Sequence, residues 1–72
     1  MARLPILSGR GIIRALEKIG YQAIRERGSH IRLICPERHS ITVPDYKMVS
    51  RGLLRKILRD AELSASEFDT LL

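Results

Sequence analysis

The sequence predicts an α+β fold of two layers. A three-stranded antiparallel sheet is covered on one face by two helices (order α-β-β-β-α), and a short third helix follows at the C-terminus. Three observations lead there. Two stretches, around residues 9–19 and 51–61, repeat apolar side chains at helical spacing. Between them lie three short runs of apolar–polar alternation, separated by turns that carry glycine or proline. Connections this short join antiparallel neighbours, so the strands form a meander.

Met1–Leu7 reads as an approach segment, in which Pro5 opposes a helix start. Ser8 is the expected N-cap of the first helix. Its capping box is broken, because Gly11 stands where Glu or Gln would be. Ile12, Ile13, Leu16 and Ile19 share one helical face, while Arg10, Arg14, Glu17 and Lys18 take the wet side. Gly20 is placed to end the helix as a C′ glycine. Tyr21–Glu26 follows as a strand of imperfect alternation, and Arg27-Gly28-Ser29 as a turn. In the second strand Ile31, Leu33 and Cys35 point one way and His30, Arg32 and Ile34 the other. Pro36-Glu37-Arg38 is the next turn. In the third strand Ile41 and Val43 face in, Ser40 and Thr42 face out, and Pro44 closes the run. Residues 45–49 are a loop, and Ser50 caps the second helix, whose stripe is Leu53, Leu54, Ile57, Leu58 and Ala61. Ser64-x-x-Glu67 is an intact capping box for a last helix carrying Phe68, Leu71 and Leu72.

A chain of 72 residues is expected to be one domain, residues 1–72. Thirteen Lys and Arg against eight Asp and Glu give a formal charge of +5, which favours polyanionic partners: nucleic acid or an acidic protein surface. The aromatics are only Tyr21, Tyr46 and Phe68, too few for a general single-strand stacking platform. Cys35 has no partner for an internal disulfide and reads as a buried thiol. No apolar run approaches the roughly 20 residues of a membrane span, and no signal core follows the start. The chain is therefore expected to be cytoplasmic and complete. Two histidines and one cysteine without metal-ligand spacing predict no metal site and no cofactor, and no phosphate-loop glycine pattern occurs.

His30 is the remaining chemical candidate. Ser29 is its chain neighbour, but adjacent strand residues face opposite ways, which argues against a Ser–His pair. Strand parity puts His30 with Arg32 on the open face, where an imidazole can move a proton at neutral pH. RNA brings its own nucleophile, the 2′-hydroxyl, so one base and several cations suffice to cut it. A histidine between arginines is also a common surface feature with no chemistry. Arg51, Arg55 and Arg59 recur every fourth residue of the second helix, a repulsive spacing that phosphate contact would offset, as would simple solvation. The free N–H groups around Arg51-Gly52-Leu53 favour an anion, and Gly52 permits close approach of a backbone.

Four segments in order resemble the HicA family, the small toxins of HicA/HicB toxin–antitoxin pairs: "LPILSGRGIIRALEKIGY", "RGSHIRL", "ITVPDYK" and "GLLRKILRDAELSASEF". The resemblance runs nearly end to end. It implies a fold like the double-stranded RNA-binding domain, and a metal-independent ribonuclease that cuts messenger RNA. It also implies an antitoxin, HicB-like, that covers the His30 face. The family's catalytic histidine lies in glycine-serine-histidine, which His30 matches. On this reading Arg27, Arg32, Lys47, Arg51 and Arg55 hold phosphates, with Lys56 and Gly52 beside them, and Gly28 and Ser29 set the approach of the RNA backbone. The chain departs from the family at four places. Ile31 and Tyr46 stand where many members have histidine, Leu53 where threonine is frequent, and Gly11 where glutamate is common. Two other classes remain open at this stage: a non-catalytic binder of structured RNA, and a protein-interaction module whose basic face docks an acidic partner.

Overall fold

The computed structural model describes residues 4–72, so the first three residues of the approach segment lie outside it. Helix α1 (Gly9–Glu17) leads into strands β1 (Gln22–Arg27), β2 (His30–Cys35) and β3 (Arg38–Pro44), then helices α2 (Arg51–Asp60) and α3 (Ala65–Asp69). The sheet is antiparallel with strand order β1-β2-β3. The expected α+β architecture holds, with its order of elements.

All three helices start on serine caps. Ser8 accepts from the N–H of Gly11, Ser50 from that of Leu53 and Ser64 from that of Glu67. Only the third is a full capping box, with Glu67 returning a bond to the Ser64 N–H. That bond holds the Glu67 carboxyl below its ordinary value of 4.5. Helix α1 ends as its glycine predicts. Gly20 has φ +109°, and the Tyr21 and Gly20 N–H groups reach back to Leu16 O and Glu17 O, the two bonds of a Schellman motif. The end of α2 makes the same pair of bonds, from Leu63 to Leu58 and from Glu62 to Arg59. There the left-handed residue is Glu62, φ +58°, so no glycine announced it.

The core lies between one sheet face and the helices. Ile12, Leu16, Leu33, Ile41, Val43, Leu54 and Phe68 are closed to solvent, each contributing about 1.5–3 kcal/mol of burial. Ile19 and Leu53, expected on the apolar stripes, are only half-buried, and Leu72 is exposed rather than packed with Phe68. Tyr21 lies just before β1 and is buried. Its hydroxyl donates to His39 O at 2.8 Å, and burial pushes its phenol above the usual value. Cys35 is buried, as its alternation predicts.

Both long helices pack on β3, and every residue of β1 is exposed. The β1–β2 ladder carries an extra residue between Ala23 and Arg25, and β3 carries another opposite Leu33–Cys35. No described helix is long and apolar enough to cross a membrane.

The lowered Glu67 value has a consequence for acid stability. A carboxyl whose native pKa is depressed stabilises the fold above its unfolded value, and that contribution is lost as pH falls through the native value. Melting temperature should therefore fall with pH below about 4.5, and Glu67→Gln, which keeps a capping-box side chain but cannot titrate, should reduce the slope. An unchanged slope in the variant would show that the cap carries no acid sensitivity.

Candidate functional site

The position of His30 follows from the hairpin before it. Arg27 pairs directly with His30, so the loop is the two residues Gly28 and Ser29, one fewer than the sequence suggested. Gly28 has φ +60° and Ser29 is not in the positive region, the pattern of a type II′ turn. Such a turn matches the twist of its strands and fixes the register. From there β2 alternates: Ile31, Leu33 and Cys35 are buried, while His30 and Ile34 are exposed and Arg32 is half-buried.

Cross-strand partners share a face of the sheet. Arg27 lies opposite His30, and Arg25 and Thr42 flank Arg32. Arg25, Arg27, His30, Arg32 and Thr42 together line an open concavity on the uncovered face. An Arg32 Nη donates to Thr42 Oγ1 at 3.1 Å, which steadies one cation of the group. Arg25 and Thr42 were not among the residues expected here. Arg25 could have been found by counting back two from Arg27, whereas the extra residue at Ile24, which keeps Ala23 off this face, leaves no local sign.

The other expected residues lie elsewhere. Gly52, Arg55 and Lys56 are exposed on α2, in the layer opposite His30. Lys56 pairs with Asp60 at 3.3 Å. The Arg51 Nε donates to Leu4 O at 2.6 Å, which ties the N-terminal segment to α2. Lys47 is exposed in the segment joining β3, whose last residue Pro44 pairs with His30, to the N-terminus of α2. A Cβ on Gly52 would meet nothing within 4 Å, and no positive φ is needed there, so the fold does not require glycine at that position.

The departures at residues 31, 46 and 53 also gain a geometry. Ile31 is 3% exposed and faces the core, so a side chain at that position does not share a face with His30. Leu53 packs against the core edge. Tyr46 is exposed, its carbonyl held by the Gly9 N–H at 2.8 Å. Gly9 itself is dictated by packing, since a Cβ there would lie 1.9 Å from Pro44 O.

A charged cluster adjoins the same end of the sheet. Arg10, at the start of α1, forks onto Asp45 with bonds of 3.2 and 3.1 Å, and reaches Glu26 at 3.4 Å. The bond to Asp45, then its charge, raise the Arg10 guanidinium above its ordinary value. Among the described residues, no three His, Cys, Asp or Glu side chains converge as a metal-binding group.

Comparison with known proteins gives one family. The model of the HicA toxin of bacterial toxin–antitoxin systems matches residues 9–63, which spans α1, the whole sheet and α2. No curated protein matches the chain.

The two glycines of the candidate site should respond oppositely to substitution. Gly28→Ala is expected to cost about 1–2 kcal/mol for its left-handed backbone. Gly52→Ala should gain roughly 0.5–1 kcal/mol of helix stability. Urea melts of both variants measure this, and equal effects would mean that the turn tolerates a side chain.

Proposed function

The chain belongs to the HicA toxin family, and from that membership we propose that it is a metal-independent RNA endonuclease whose general base is His30. Membership of a toxin–antitoxin family implies an antitoxin partner. The observation that carries the nuclease reading is the placing of the imidazole: His30 stands on the uncovered sheet face among Arg25, Arg27 and Arg32. Cations at that density neutralise consecutive phosphates and stabilise charge that grows on a phosphoryl oxygen.

In this mechanism the imidazole takes the proton of a ribose 2′-hydroxyl. The 2′-oxygen attacks the adjacent phosphorus, and the bond to the 5′-oxygen breaks. The departing oxygen takes a proton from the imidazolium or from water. The products are a 2′,3′-cyclic phosphate and a 5′-hydroxyl end, and DNA, which lacks the nucleophile, is not cut. The arginine side chains contact the sugar–phosphate backbone, with Ser29 and Gly28 leaving room at the turn. RNA that continues past His30 would follow Lys47 around the sheet edge to Gly52, Arg55 and Lys56 at the start of α2, with Arg51 contributing the donors that Leu4 does not occupy. A HicB-like antitoxin that covers the His30 face would block this path, and the toxin would act in the cytoplasm.

A positioned base contributes about a hundredfold or more to such a step. His30→Ala should therefore lower cleavage of a labelled RNA by at least that factor, with circular dichroism and melting unchanged, because His30 is exposed. Induced expression should arrest growth with the wild type and not with the variant. Cleavage at the wild-type rate by His30→Ala would remove the mechanism. Retardation of intact RNA by both proteins would instead make the chain a binder of structured RNA.

A further inference from the structure

We propose that Arg10 acts through Asp45 as a positioning residue, holding the hairpin tip that carries His30 against the rest of the molecule. This rests on the nuclease reading of His30 for its effect on rate, and on the fold alone for its effect on the hairpin.

The hairpin tip is supported unevenly: His30 pairs with Pro44 of β3, while its β1 side is open to solvent. Every residue from Gln22 to His30 is exposed. The tip is tied down at its base. The Asp45 N–H donates to Ser29 O at 2.6 Å, immediately before His30. Asp45 in turn accepts both arms of the Arg10 guanidinium, and Glu26, one residue before the end of β1, takes a third contact from it. Helix α1, the hairpin and the end of β3 thus meet in one guanidinium. The corner is closed beneath it by Gly9, which packs on Pro44 and bonds to Tyr46 O.

An ion pair this exposed adds little to global stability. A forked arginine–carboxylate pair is nonetheless directional, and it adds restraint at the turn beside a catalytic group whose β1 neighbours are all exposed. The two carboxylates occupy Arg10, which makes it a poor phosphate contact despite lying near the site. The two roles give opposite signatures. A phosphate contact affects RNA binding, and losing its carboxylate neighbour would strengthen that binding. A clamp affects turnover, and losing either member has the same effect.

The test is a double-mutant cycle on the full chain with Arg10→Ala, Asp45→Asn and the pair, with Arg14→Ala as a control for lost charge on α1. We expect kcat to fall about ten- to a hundredfold in each single variant, no further fall in the double variant, an unchanged KM, and an unchanged melting temperature. Exchanging the partners, Arg10→Asp with Asp45→Arg, should restore part of kcat. A rise in KM for Arg10→Ala with a fall for Asp45→Asn would overturn the proposal in favour of phosphate contact. Amide hydrogen exchange at Asp45 decides the matter without activity. Faster exchange in Arg10→Ala, with core amides unchanged, supports the clamp even if the wild type cuts no RNA, and unaltered exchange overturns it.

Discussion

One constraint organises the molecule: only one face of the sheet is covered. Two helices over three strands demand that every second residue of β2 be apolar and turned inward, and Ile31, Leu33 and Cys35 meet that demand. The intervening residues are then committed to the other side. The II′ turn at Gly28-Ser29 leaves no slack in the β1–β2 pairing, and a slip by one residue would bury His30 and Arg32 while exposing Ile31 and Leu33. Fully burying each such aliphatic side chain is worth about 1.5–3 kcal/mol, so the register is strongly held. The same packing that makes the core therefore presents the imidazole.

The uncovered face is also sorted by charge. Arg25, Arg27 and Arg32 gather there, although like charges across neighbouring strands repel. The nearby carboxylates are kept off it. Glu26 pairs with Ile31 on the helix side, and Asp45 turns to Arg10. Nothing in the folding of the sheet calls for this separation, since mixed signs would be more stable. A polyanion laid on the face would relieve the repulsion. Gly52 has the same character: helix α2 would be firmer with alanine there, and the space above it is empty.

Local periods were legible in the sequence. The three serine caps, the two helical stripes and the alternation of β2 each follow from residues within a few positions of one another, and they placed His30 and Arg32 on the open face. Features set by partners distant in sequence were not. The extra residue that turns Ala23 off the His30 face is visible only in the pairing of β1 with β2. Arg10 and Asp45 are 35 residues apart, and the bond of Arg51 to Leu4 depends on where the N-terminal segment runs. Glu37 and Glu62 take positive φ at turns where glycine would be the usual signal. Ile31 stands where many family members have histidine, and the fold keeps it in the core with Leu33 and Cys35, as the alternation of β2 predicts.

The most direct test of the His30 face as the RNA site is an NMR titration with a short RNA whose riboses are all 2′-O-methylated, so that it binds and cannot be cut. We expect the largest shifts at the amides of Arg25, Arg27, His30 and Arg32 and at the His30 ring protons, with a second group from Lys47 to Arg55. Shifts confined to the outer face of α2, with His30 and its arginine neighbours unmoved, would contradict the assignment.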